Sequence, residues 1–379
     1  MLEEINYLCG ESDIFVGKRR RLKRYLVCSM QGYFPVLIKT GSNSLAVIFR
    51  TGAPHVGIKG TLAVSTSDDG GKSWSDPVEI SPRGEDVRNP AFGINDNGEF
   101  IAAFCKLKSF RYEKTIDGYY YNSSLKYEPD ESSRIFFTST SKDNGKTWSP
   151  PVSHKSRYLT MPSPYGRIAR SSDGTLYMTL YGKPIELSEI EPAENIKNMV
   201  TLVRSKDGGK TWGDETVIVK GYNETSIAFI NNNIMIAAAR LDEKFGSISV
   251  LFSRDKGVTW SEPVKVTRKS EHPADVTLLQ SGKLLLTFGR RVKPTGCGAL
   301  ISEDGGVTWN YDREILLAGD GGEKGGSFDL GYPSTVQLDN GNIVTVLYYA
   351  CGSEMSQDFL KGWGDISCQA IHYREEDIL

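Results

Sequence analysis

Histidine and cysteine are scarce in this chain, and neither is spaced for metal chemistry. The four histidines (His55, His154, His272, His372) form no H-E-x-x-H pattern, and the six cysteines (Cys9, Cys28, Cys105, Cys297, Cys351, Cys368) include no C-x-x-C pair. Zinc sites therefore have no support, and no metal is implied. An excess of either charge is also lacking. Lys plus Arg number 45 against 47 Asp plus Glu, a net charge of −2, so no global field draws the chain to nucleic acid or to an anionic membrane surface. No apolar run approaches the roughly 18–20 residues of a membrane span. The glycine-rich stretch 319–326 is not followed by G-K-[ST], so it is no phosphate loop and reads as a rim segment before Tyr332. No cofactor is implied by any of these patterns. The opening stretch MLEEINYLCGESDIF lacks a basic segment followed by an apolar one, which predicts a cytoplasmic protein with free, mostly buried thiols. The basic run over residues 18–24 reads as a solvated turn ahead of a strand at 24–30, because the rest of the chain is not basic.

What the chain does hold is glycine, 39 residues, with 18 Tyr, 15 Phe and 6 Trp. That mixture predicts strands and many turns. One octapeptide, S-x-D-x-G-x-[ST]-W, recurs five times: SDDGGKSW (67–74), SKDNGKTW (141–148), SKDGGKTW (205–212), SRDKGVTW (253–260) and SEDGGVTW (302–309). Asp and Gly suit a tight turn, the hydroxyls bond nearby backbone, and Trp packs the hairpin on its own sheet. A second repeat occurs six times. It is an alternating apolar hairpin around a polar turn, at 35–50, 90–106, 166–182, 224–240, 274–290 and 333–349. Each hairpin but the last is followed by one octapeptide. The pattern predicts an all-β, six-bladed propeller of four-stranded antiparallel blades, one domain over 1–379. The last blade has strands at 333–338, 342–350 and about 366–373. Its fourth strand comes from the N-terminal segment 1–30, which closes the ring and removes a free sheet edge.

In such a blade the octapeptides lie on one face, and the starts of strand 1 and ends of strand 2 converge on the other. Strand 1 starts present Tyr33, Arg88 or Asn89, Tyr165, Asn223 or Glu224, His272 and Tyr332. Strand 2 ends present Arg50, Lys106, Tyr181, Arg240, Arg290 or Arg291, and Tyr349. This ring of guanidiniums, phenols and a single Glu suits an anionic ligand rich in hydroxyls, such as a glycan or a small acidic sugar. Arg290 and Arg291 are not separable by sequence, because adjacent strand residues face opposite ways. The rim loop 107–133 adds Tyr112, Tyr119, Tyr120, Tyr121 and Tyr127, whose faces suit sugar rings.

These motifs resemble the sialidase (neuraminidase) superfamily, the Asp-box or BNR-repeat propellers, over essentially the whole chain. Asn223-Glu224, with Arg240 ending the next strand, looks like the family's N-E…R segment. Arg290 or Arg291 resembles a second carboxylate-binding arginine, and Gly331-Tyr332-Pro333-Ser334 resembles the segment bearing the nucleophilic tyrosine. The resemblance implies an exo-acting glycoside hydrolase that releases sialic acid or a related ulosonic or uronic acid. Tyr332 would be the nucleophile and Glu224 its base, the tyrosine variant of glycoside hydrolysis. Arg240, Arg290 or Arg291, Arg50, Arg88, Tyr33, Tyr165 and His272 would line the substrate. Two departures stand out. The family's first arginine, in an R-I-P motif, is replaced by Tyr33-Phe34-Pro35, and the loop 50–60 holds no carboxylate. His55 or Asp86 is left to supply the acid/base proton. A non-catalytic glycan- or protein-binding propeller and a polysaccharide lyase acting on a uronic acid are the alternative readings.

Overall fold

A computed structural model describes residues 11–16, 18–29, 31–53, 55, 59–81, 85–106, 110–116, 119–125, 131–188, 190–191, 195–321, 330–350 and 366–379. The fold is all-β. Three antiparallel sheets of four strands each follow chain order. The first holds Tyr33–Lys39, Leu45–Thr51, Thr61–Ser67 and Val78–Glu79. Another holds Tyr222–Phe229, Met235–Leu241, Ile248–Ser253 and Val264–Lys265, and the next holds Glu271–Leu278, Leu284–Arg290, Thr295–Ser302 and Ile315–Gly321. An eight-stranded sheet comprises two such antiparallel quartets, one opening with Val87–Ile94 and the other with Leu159–Arg170. A short parallel contact of Ala91 and Phe92 with Gly166 and Arg167 joins them. The last sheet takes Gly331–Gln337, Asn342–Ala350 and Ile366–Arg374 from the end of the chain, and Lys18–Ser29 and Glu11–Val16 from its start. The first strand of each unit touches that of the next, and Gly331–Gln337 touches Tyr33–Lys39, so the arrangement is a closed, propeller-like ring around a channel.

The core lies between neighbouring sheets. Val36, Ile48 and Val64 of one, for example, face Phe92, Phe100 and Phe104 of the next. Period-2 alternation puts one apolar face on each neighbour, so the central strands read as nearly continuous apolar runs. The N-terminal strand closes the ring as expected, with Cys28 opposite Cys368 and Arg24 opposite Ile371. The turn expected over residues 18–23 is corrected: those residues belong to the strand, and Glu11–Val16 pairs with them. In that backbone register Glu11 pairs with Lys23 and Val16 with Lys18. The described cysteines, Cys28, Cys105, Cys297 and Cys368, are buried and free. Cys9 and Cys351 lie outside the described residues.

The octapeptides are the turns expected. In SKDGGKTW, Ser205 Oγ donates to Asp207 Oδ1 at 2.8 Å, Thr211 N and Oγ1 donate to the same carboxylate, and Trp212 Nε1 donates to Gly209 O at 3.1 Å. Inner-hairpin turns share their face: Gly70 N donates to Asn43 O, and Lys256 N to Asn233 O.

Candidate active site

The opposite mouth is shaped by one repeated irregularity. Every inner strand pair carries a β-bulge at the same place, between Tyr33 and Val36, Arg88 and Ala91, Thr160 and Ser163, Tyr222 and Thr225, Glu271 and Ala274, and Gly331 and Ser334. The two bulged residues are Phe34-Pro35, Asn89-Pro90, Met161-Pro162, Asn223-Glu224, His272-Pro273 and Tyr332-Pro333. Proline suits the second position, because a bulge leaves that backbone N–H without a ladder partner. Only one unit places a carboxylate there, Glu224. Phe34, Asn89, Met161 and Tyr332 take φ between +49° and +55°, costly for bulky residues and tolerated where the surroundings enforce it.

The bulges bring Glu224 and Tyr332 together. Tyr332 Oη donates to Glu224 Oε1 at 2.5 Å, and Arg240 Nη1 donates to Glu224 Oε2. Both Tyr332 and Glu224 are 6% exposed. Burial, and then the Glu224 carboxylate, push the Tyr332 phenol well above its ordinary range, although Arg240 and Arg291 oppose the shift. The phenol therefore keeps its proton at neutral pH. Burial disfavours charge on Arg240, but Glu224 outweighs it and holds the guanidinium charged.

The structure separates Arg290 from Arg291. The Arg291 guanidinium stands 5.9 Å from the centre of the Tyr332 ring. Arg290 turns to the other side of the sheet, where Nε donates to Glu314 Oε1 at 3.0 Å and Nη1 to the carbonyls of Val292 and Pro294. His272 is buried close to both site arginines. Burial first, then Arg240 and Arg291, lower its pKa to about 2, so the imidazole is neutral. Arg240 Nε, Arg291 Nε and His272 Nδ1 are buried and bond no other group of the described protein, which leaves two donors and an imidazole nitrogen for a ligand.

Other expected residues fall elsewhere. Arg50 is 0% exposed and pairs with Asp86 at 2.8 Å, while Arg88 Nη2 contacts the other Asp86 oxygen at 2.6 Å. Asp86 is thus clamped between two guanidiniums, and Arg50 is closed off from a ligand. Lys106 pairs with Glu85. Tyr165 is not at a strand start, since its strand begins at Leu159. A second bulge still brings its ring to 6.3 Å from that of Tyr332. Tyr349 lies beneath Arg24, and its neighbour Tyr348 takes the expected place, 5.5 Å from the Tyr332 ring and 5.3 Å from Tyr33. His55 packs edge-on to Phe34, which packs edge-on to Tyr332, both at 4.8 Å between ring centres. Of the rim tyrosines, Tyr112, Tyr119, Tyr120 and Tyr121 fall on the two-stranded ribbon Phe110–Ile116 and Tyr119–Leu125, and Tyr127 lies outside the described residues. Residues 322–326 of the glycine-rich stretch also lie outside them.

Sequence reasoning missed Phe34 and Tyr348. The signal for Phe34 was the X-Pro dipeptide recurring at the head of five inner hairpins, with Asn-Glu in the other.

The family described as BNR repeat-like domain matches residues 111–345. A sialidase of Bacteroides fragilis (strain YCH46) is 27% identical over 238 residues, covering 58% of this chain and 40% of that protein. The match thus spans well under half of the curated relative's length. Among solved structures, a protein of unknown function from Dyadobacter fermentans superimposes with TM-score 0.69 at 20% identity, covering 94% of this chain and 99% of that one. A Hadza microbial sialidase gives 0.67 at 21% identity, covering 96% and 70%. A Trypanosoma rangeli sialidase in complex with sialic acid gives 0.57 at 14%, covering 93% and 55%. At these identities the likeness shows a shared fold.

Proposed function

Because the chain belongs to the BNR repeat-like domain family, within the sialidase superfamily, we propose that it is an exo-acting glycoside hydrolase. It releases a terminal acidic sugar from a glycan on a six-bladed propeller, the eight-stranded sheet counting as two blades. The observation that carries this reading is the 2.5 Å hydrogen bond from the Tyr332 phenol to Glu224. A carboxylate nucleophile would be repelled by an acid group on the anomeric carbon, whereas a neutral phenol is not. As the Tyr332 oxygen bonds to the anomeric carbon, its proton passes to Glu224 and the bond to the leaving oxygen breaks. Water then attacks the tyrosyl adduct and gives its proton to His55, and Tyr332 leaves with the proton returned by Glu224.

Arg240 and Arg291 bind the substrate carboxylate, and Arg240 also holds Glu224 in place. His272, neutral between them, adds a hydrogen bond. His55, at the mouth beside Phe34, supplies the leaving-group proton, a role from which the Arg50–Asp86–Arg88 cluster removes Asp86.

A panel of chromogenic glycosides of sialic acid, other ulosonic acids and uronic acids tests the reading. Turnover on an acidic sugar is expected. Tyr332→Phe should lower kcat by a factor on the order of 10²–10⁴ while the Tm is kept, in line with loss of a group that reacts. Full activity of Tyr332→Phe refutes the tyrosine mechanism. Binding without turnover on any member supports a lectin-like propeller, and an unsaturated, ultraviolet-absorbing product supports a lyase.

A further inference from the structure

Glu224 and Tyr332 stand on different sheets, and the sheet that begins with Glu271–Leu278 lies between them. No backbone ladder joins their strands, so side chains crossing the channel set the separation of the two groups. One carboxylate bonds both of these strands. Asp275 Oδ1 accepts from Ser226 Oγ at 2.8 Å, and Ser226 is two residues from Glu224. Asp275 Oδ2 accepts from the backbone N–H of Thr335 at 2.6 Å, and Thr335 is three residues from Tyr332. Arg167, from a fourth inner strand, ion-pairs with the same oxygen. The Arg167 guanidinium also donates to the carbonyl of Thr335, to Val276 O at 2.9 Å and to Thr277 Oγ1 at 3.0 Å. Ser226 Oγ in turn accepts from Val276 N at 3.1 Å. Asp275 is 4% exposed, and at that burial each of these bonds is costly to lose.

We propose that Asp275, anchored by Arg167, is a positioning residue that ties the strand of Glu224 to the strand of Tyr332 and so sets their contact. The proposal rests on the reading that these two groups are the reacting pair. Neither Asp275 nor Arg167 bonds either of them, so both act through Ser226 and Thr335. Misplacement of reacting groups by about 1 Å costs roughly a hundredfold in rate, which makes the tie consequential.

The test compares the full chain with Asp275→Asn, Ser226→Ala and, as a control, Asp339→Asn, an exposed carboxylate. Tyrosine labelled with ¹³C at Cζ reports the Tyr332 phenol without any turnover, its resonance being the one that vanishes in Tyr332→Phe and its unbonded position being that in Glu224→Ala, which removes the acceptor. Kinetics on whichever acidic-sugar glycoside the chain hydrolyses give kcat and KM. In Asp275→Asn the resonance is expected to move toward its Glu224→Ala position, with kcat down about tenfold to a hundredfold and KM within about twofold. Ser226→Ala should move the resonance the same way and lower kcat about threefold, and Asp339→Asn should change neither. Folded Asp275→Asn and Ser226→Ala proteins with an unmoved Tyr332 resonance overturn the proposal. If Asp275→Asn does not fold, Ser226→Ala decides. A chain inert on every glycoside refutes the hydrolase reading, while the resonance still decides the positioning role.

Discussion

Arg290 and Arg291 are neighbours in sequence with separate tasks. Arg291 stands over the Tyr332 ring, whereas Arg290 neutralises Glu314 near the buried Glu271. Arg291→Ala should raise KM for an acidic sugar about tenfold or more and leave the Tm nearly unchanged, since a charge-assisted bond to the ligand is lost. Arg290→Ala should leave KM within about threefold and lower stability by about 1–3 kcal/mol, because carboxylates lose their partner. Steady-state kinetics and thermal melts separate the two. His272 makes a prediction of its own. Its folded pKa of about 2 lies below the unfolded value near 6.5. Below pH 6.5 the unfolded chain takes up a proton that the folded chain refuses, so stability falls with pH from about 6.5 toward 2. The slope from this group reaches about 1.4 kcal/mol per pH unit. His272→Gln should make the dependence shallower by about one proton between pH 6 and 4.5, as read by denaturant unfolding over a pH series.

At the scale of the element, the octapeptide turns are acid-sensitive clips. Hydroxyl and backbone bonds from Thr147, Thr259 and Thr308 hold Asp143, Asp255 and Asp304 down to about 2. These groups favour the fold above their unfolded pKa near 4, and that contribution is lost as the pH falls from about 4 through 2. Asp304→Asn should lower the Tm by roughly 2–4 °C at neutral pH and weaken the acid-induced fall, measurable by calorimetry at pH 7, 4 and 2.5. These turns were legible in the sequence because their chemistry is local: every donor lies within four residues of its Asp. The same locality exposed Glu224, Arg240 and Tyr332 as strand-end residues. What could not be read was parity and partnership. Arg290 against Arg291, and Tyr348 against Tyr349, differ by one residue and hence by a whole sheet face. The start of the strand Leu159–Arg170 was displaced because its second bulge carries Tyr165 out of phase. Asp86 looked free for catalysis because its partner Arg50 belongs to another unit, a contact only the assembled ring creates.

For the whole molecule, closure is the feature that everything else requires. Lys18–Ser29 covers the edge of Ile366–Arg374 and buries Leu22, Val27 and Cys28. Deleting residues 1–29 should expose that edge and abolish a cooperative melt, with soluble aggregates appearing on size-exclusion chromatography. The recurring kink at the channel mouth has a wider consequence. Each unit offers the same seat for two residues, held off the hydrogen-bonded ladder, so a reactive group can be exchanged there without disturbing the sheets beneath. Swapping a dipeptide between units would relocate a phenol, an imidazole or a carboxylate to a neighbouring seat on the rim. A scaffold of this kind can acquire or shed an activity by a few substitutions while its stability stays nearly constant.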